Sequence, residues 1–307
     1  MYFSAKEILA QLEGTDKRIC DLVIQNETEL FETPYDKIME MLEERYQIMY
    51  NSAHDALEKE IRSLSGLTGG SARKMWDYYK KGSMICDGTI IRGAAYALSC
   101  LEVNASMGLI VAAPTAGACG ILPGCLLTVA EKHDIPHQQV LEALATASGI
   151  GQLIAKKATV SGAEGGCQAE CGSAAAMAAG AVVEMLGGTP AQAFDAAAIA
   201  MQNIMGLVCD PVAGLVEMPC AKRNASGVAN ALVSADLALS GIFSEIPFDE
   251  VVEAMYKVGK ALPSTLRETA LGGVATTPTA LAMKEKIYGK GAAESACSGD
   301  CASCGLC

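Results

Sequence analysis

Aromatic residues make up only 5% of this 307-residue chain, with a single Trp, and there are only three histidines. So few aromatics argue against a β-sandwich, which draws on aromatic and β-branched strands. The histidines do not assemble into a Ser-His-Asp relay. His133 and His137 are four apart, but Pro136 stands between them and keeps them off a common helical face. His54 sits among charged residues and reads as solvated. Positive charge is also short: 23 Lys and Arg against 35 Asp and Glu give a net charge of −12 and a pI near 4.8. A nucleic-acid phosphate backbone is therefore an unsuitable partner. No run reaches the roughly 20 apolar residues of a membrane-spanning helix; the longest, around "MGLIVAAP" and "SAAAMAAGAVV", stop well short. The opening "MYFSAKEILAQLEG" has no apolar signal-peptide core, so the expected location is cytoplasmic, without membrane contact. A phosphate-binding G-x-x-x-x-G-K-[ST] loop is missing as well.

Hydrophobic residues nevertheless make up 51% of the chain, much of it Ala. That composition suits helices packed closely through small side chains. The expected fold is mainly α: a single multi-helix domain over residues 1–290, with Gly/Pro-rich loops forming a central site and a Cys-rich tail over 291–307. Thr33 and Pro34 read as an N-cap and first-turn pair opening an amphipathic helix. A helix over "RKMWDYYKKG" follows, then a longer one from Asp87 to about Val103. From about 104 to 225 charges thin out and turn dipeptides accumulate. Apolar helices are expected at 173–186 and 191–206, the latter opened by Thr189-Pro190, with another starting near Leu126. After 225 helical periodicity returns.

Thirteen cysteines in a reducing compartment call for an explanation other than disulfides. Cys20, Cys86, Cys100, Cys119 and Cys125 lie in or beside apolar stretches and read as small core residues. Cys167, Cys171, Cys209 and Cys220 fall in Gly- and Pro-shaped turns, and "CDPVAGLVEMPC" sets two of them eleven apart, each beside a proline. Thiolates without histidine select zinc or an iron–sulfur cluster. Structural zinc favours paired ligands at short spacing, so three dispersed turns look more like a cluster built into an active site. Two further Gly-rich turns are candidate anion contacts at helix starts: "SGLTGGSA" through Thr68 and Gly69, and "APTAGACGILPG" through Thr115 and Gly117.

These stretches, "SGAEGGCQAECGSAAAMAAG", "CDPVAGLVEMPCAKRNA", "NASMGLIVAAPTAGACGILPG" and "SGLTGG", together resemble the α subunit of the iron–sulfur-dependent L-serine dehydratases, over roughly residues 15 to 285. The resemblance implies an oxygen-sensitive [4Fe–4S] cluster held by Cys167, Cys209 and Cys220, with Cys171 a near neighbour. It implies L-serine as substrate, and a β subunit, because the Ser-Ser-Ser-His-Thr motif of the family's second module does not occur in this sequence. With three thiolates, one iron is left to act as a Lewis acid. Glu164 and Glu170, flanking Cys167, are the candidate bases for the Cα proton, and Lys222 is a further catalytic candidate. Arg223, Thr115, Gly117, Thr68 and Gly69 are candidate substrate contacts. The tail thiols Cys297, Cys301, Cys304 and Cys307 suit either a separate metal or, through Cys307, a plug on the open iron. The competing reading is a non-catalytic iron–sulfur or zinc protein.

Overall fold

A computed structural model describes residues 3–289, and among them the chain forms thirteen α-helices, with no β-strand; the longest connections run over 106–120, 203–219 and 262–277. In order these are α1 (Ala5–Leu12), α2 (Ile19–Phe31), α3 (Tyr35–Glu58), α4 (Ser71–Lys80), α5 (Gly88–Ala105), α6 (Ile121–His133) and α7 (His137–Lys157), then α8 (Gly162–Gly165), α9 (Ser173–Met185), α10 (Pro190–Gln202), α11 (Cys220–Leu239), α12 (Phe248–Ala261) and α13 (Pro278–Tyr288). The mainly α, single-domain expectation holds. No helix among the described residues is long and apolar enough to cross a membrane. The Cys-rich tail, with Cys297, Cys301, Cys304 and Cys307, lies outside the described residues.

The centre of the fold is α9, all thirteen of whose residues are buried. Its sequence explains this: a helix apolar all round must be covered on every side. It packs against α6, α7, α10 and α11. Small residues set the spacing. A Cβ at Gly93 of α5 would stand 2.8 Å from the Gly124 carbonyl of α6, and one at Gly124 would stand 2.7 Å from the Gly93 carbonyl. The α5–α6 crossing is therefore a contact of backbone on backbone that no other residue permits.

Two buried glutamates organise the helix ends from a distance. Glu184, at the end of α9, accepts the first N–H groups of α2, Ile19 at 2.7 Å and Cys20 at 3.1 Å, and also the Thr146 hydroxyl. Glu102, on α5, accepts those of α4, Ser71 at 2.5 Å and Ala72 at 3.2 Å. Each carboxylate meets two orphan donors and the positive end of a helix dipole.

Several local expectations are corrected. Thr33 does not cap α3; the helix opens at Tyr35 after Pro34, and the Thr33 hydroxyl instead donates to the Phe31 carbonyl at 3.3 Å. The helix placed near Leu126 begins at Ile121, because Pro123 lies in its first turn, where a missing N–H costs no bond. Thr189 does cap α10, in a reciprocal box with Gln192. His54 is not solvated: it is half-buried, with Tyr50 stacked on its ring at 4.1 Å and Tyr96 at 4.7 Å. Cys20, Cys100, Cys119 and Cys125 are buried, but Cys86 is exposed.

Candidate cluster and active site

Three chain segments carry the turn cysteines, and each is fixed by a different device. Cys167 follows the one-turn α8 and leads into a π-helical turn, Gln168–Gly172, that runs into α9. Such turns re-aim side chains and recur at functional sites. Gln168 anchors this one: fully buried, it donates to the carbonyls of Gly165 (2.9 Å) and Met255 (3.0 Å) and accepts the Gly206 N–H (2.8 Å). Cys209 is clamped on both sides, its N–H donating to the Leu266 carbonyl (2.9 Å) and its carbonyl accepting from the Glu268 N–H (2.7 Å). The two stretches make a parallel bridge that pairs Cys209 with Arg267. Cys220 is the first residue of α11, just after Pro219, where the helix dipole favours a thiolate.

Asn224, one turn into α11, ties this helix to the turn that precedes α6. Fully buried, it donates to the Gly117 carbonyl (2.7 Å) and the Cys220 carbonyl (3.0 Å) and accepts the Gly120 N–H (3.0 Å). Gln168 and Asn224 were not singled out by the sequence, because a buried amide that braces backbone looks like any surface Gln or Asn until the fold is known.

All four thiols are buried and lie within electrostatic reach of one another. Cys167 and Cys171 have their sulfurs 3.3 Å apart. The hydrogen bond from Cys171, together with the Arg223 guanidinium, draws the Cys167 thiol below its ordinary value, while the same contact and burial push Cys171 up. Burial, and then the negative charge of Glu170 and Cys167, raises Cys209. Cys220 is pushed up to about 12, chiefly by burial. The upward shifts of Cys171, Cys209 and Cys220 favour their protonated forms; a metal centre is what replaces protons on buried sulfur. Among the described residues no three His, Cys, Asp or Glu side chains converge on a single-ion position.

The sequence-predicted contacts divide around this point. Glu170 is at the site: it accepts the Thr115 hydroxyl at 2.8 Å, lies 3.8 Å from the Cys209 sulfur, and has its carboxyl raised by burial. Gly117 faces it, for a Cβ there would stand 3.1 Å from Glu170 Oε1. Gly162 closes the floor, where a Cβ would stand 2.5 Å from Glu170 Oε2 and 3.0 Å from the Cys209 sulfur. Glu164 is exposed, and its carbonyl accepts from Arg267 at 3.4 Å. Arg223 donates to the Val208 carbonyl (2.8 Å), pairs with buried Asp210 (2.8 Å) and hydrogen-bonds Cys167.

Thr68, Glu102, Glu217 and Lys222 line a separate cleft beside Pro219. There the Thr68 hydroxyl donates to Glu217 at 2.6 Å, and Gly69 pairs with Arg62 in an isolated bridge. The anion expected at the start of α4 is the chain's own Glu102 carboxylate.

A fold in which three separate Gly/Pro-rich segments carry buried thiols can be compared with known proteins. Residues 14–275 match the family described as Serine dehydratase alpha chain. The chain is 45% identical over 289 residues to the probable L-serine dehydratase, alpha chain, of Bacillus subtilis, covering 94% of this chain and 96% of that one. It is 46% identical over 291 residues to the L-serine dehydratase, alpha chain, of Peptoniphilus asaccharolyticus, covering 95% of this chain and all of that one. A longer relative, the L-serine dehydratase of Helicobacter pylori strain J99, is 35% identical over 285 residues; the match covers 90% of this chain but 62% of that protein. The matched span contains the cysteine turns, the Glu170 carboxylate and the bridge at Arg267, and with them the chain belongs to the serine dehydratase alpha chain family.

Proposed function

We propose that this chain is the cluster-bearing subunit of an iron–sulfur L-serine dehydratase, which releases pyruvate and ammonia from L-serine together with a separate β subunit. The observation that carries the reading is that buried Cys167, Cys209 and Cys220 lie within electrostatic reach of one another beside the half-buried Glu170 carboxylate. The donor set fits a [4Fe–4S] cluster: thiols only, buried, with the Arg223 guanidinium beside Cys167. Cys167, Cys209 and Cys220 would hold it, and when bound it supplies a Lewis-acidic iron that carries no protein ligand. Cys171 stays a neighbour that hydrogen-bonds Cys167.

The chain's own residues do the rest. Glu170 takes the Cα proton of the substrate; burial raises its proton affinity toward what a general base needs near neutral pH. The Thr115 hydroxyl fixes the orientation of that carboxylate. Of the two flanking glutamates, exposed Glu164 is the weaker candidate, since water screens it. Lys222 is exposed on the neighbouring cleft and is a weaker catalytic candidate. The β subunit is supported by the alpha-chain names of relatives of matching length, and by the longer relative that this chain spans only in part.

The test is anaerobic reconstitution with iron and sulfide, with and without the β subunit, following pyruvate from L-serine. Cys167→Ser, Cys209→Ser and Cys220→Ser should each lose bound iron, whereas Cys171→Ser keeps it. Glu170→Gln should keep iron and lose about 100-fold or more in kcat. Iron retained by all three ligand variants would overturn the ligand assignment, and an oxygen-stable, inert protein would place the site in the non-catalytic class.

A further inference from the structure

Two arginines border the thiol site, and they are differently engaged. Arg223 is committed at both ends of its guanidinium: one nitrogen donates to the Val208 carbonyl, the other pairs with Asp210, and the side chain also reaches the Cys167 sulfur. Asp210 is itself held by the Val274 N–H at 2.7 Å. This network fastens the stretch leading into Cys209 onto α11. It leaves Arg223 little with which to greet a substrate.

Arg267 is placed differently. It is the bridge partner of Cys209, on the stretch whose Leu266 carbonyl and Glu268 N–H clamp that cysteine. Its Nη1 makes one long hydrogen bond, 3.4 Å, to the Glu164 carbonyl in the turn just before Cys167. Its Nε is buried without a hydrogen-bond partner, and among the described residues Arg267 enters no ion pair. The side chain thus spans from the Cys209 stretch to the Cys167 turn with its Nε enclosed and unmatched. A buried donor on a charged group left unmatched is costly. The group that would match this unpaired guanidinium is a carboxylate, which can take two parallel N–H bonds from it. The next residue, Glu268, has a left-handed φ of 65° and lies within electrostatic reach of Glu170 and Cys209, so the same turn borders the candidate base.

We propose that Arg267 binds the carboxylate of the substrate, and that Arg223 is a positioning residue for the Cys167 and Cys209 segments. The inference rests on the dehydratase reading and names the recognition element within it: the site selects a small hydroxy amino acid by its free carboxylate.

The experiment compares L-serine with L-serine amide, which lacks the anionic carboxylate, on the anaerobically reconstituted complex carrying wild-type chain, Arg267→Gln or Arg267→Lys. Losing a bidentate charged contact should raise KM for L-serine in Arg267→Gln by about 10- to 100-fold. Iron and sulfide content should stay constant, and kcat/KM for the amide should stay within about twofold. Lysine, which keeps the charge but lacks the fork, should recover part of the loss. Independently of turnover, the rise in Tm on adding L-serine should shrink in Arg267→Gln, because a weaker ligand stabilises less. Arg223→Gln should instead lose iron.

Equal losses for serine and amide, an unchanged KM for serine, or iron loss in Arg267→Gln with an undiminished Tm response would each overturn the proposal. Should Arg267→Gln not fold, Arg267→Lys carries the same ratio test. A wild-type complex inert toward L-serine overturns the dehydratase reading and this inference with it. An active wild type whose Arg267 variants keep the serine-to-amide ratio overturns the inference alone.

Discussion

Asn224→Leu offers a direct measure of how tightly the site is braced. Leucine shares the Cγ-branched shape and heavy-atom count of asparagine, so the substitution removes three hydrogen bonds without opening a large cavity. The Cys220 carbonyl still has its helical partner, the N–H four residues on. The Gly120 N–H and the Gly117 carbonyl do not, and both lie where α5, α6 and α11 meet. Each buried group left unmatched costs about 1–3 kcal/mol, a total of about 2–6 kcal/mol, partly offset by the apolar gain of leucine. Against a domain stability of about 5–15 kcal/mol, that is a large fraction. Urea unfolding of the reduced, iron-free chain should show a lower midpoint with an unchanged slope. Asn224→Asp should be at least as damaging, because it keeps an acceptor for Gly120 but turns a charged oxygen toward two carbonyls. The reconstituted protein should also release iron faster, since the Cys220 segment and the 115–120 turn lose their link. A stability change under about 0.5 kcal/mol would refute the claim that this amide holds the site together.

Two further outcomes follow from the geometry. Gly162→Ala introduces a methyl group that would meet both Glu170 Oε2 and the Cys209 sulfur; activity should fall at least about tenfold with little change in Tm, since the Gly162 backbone suits alanine, and full activity would show the pocket floor to be looser than described. Burial holds the Glu102 carboxyl above its ordinary 4.5, outweighing the N–H bonds of Ser71 and Ala72 that pull it down. An acid raised on folding binds more protons in the native state, so its contribution to stability declines as pH rises from that ordinary value to the folded one and is level above it. Glu102→Gln should remove that part of the slope in a series of urea midpoints across the acid range, and an unchanged slope would reject the assignment.

The turns of the candidate site were legible in the sequence, but their wiring was not. Gly/Pro turns around cysteines stand out because such residues are chosen for backbone shape, which is local. Glu170 and Glu164 were indistinguishable on paper: both flank Cys167 in charge-poor surroundings. The π-helical turn separates them, leaving one half-buried against Thr115 and the other exposed. The start of α4 was open to an external anion until the fold brought Glu102 to it from 30 residues away. Arg223 looked like the natural carboxylate contact because it follows Cys220 so closely, yet Asp210 and Val208 occupy it.

By itself, then, the sequence determined the helical class, the caps such as Thr189-Pro190, and the three turns that carry thiols, because propensity, periodicity and backbone freedom act over a few residues. Only the tertiary structure decided which polar groups meet. Partners such as Gln168 and Met255, Asn224 and Gly117, or Arg267 and Cys209 are separated by 58 to 107 positions. Burial turns each of those pairings from an exchange with water into a requirement, and burial is a property of the whole fold.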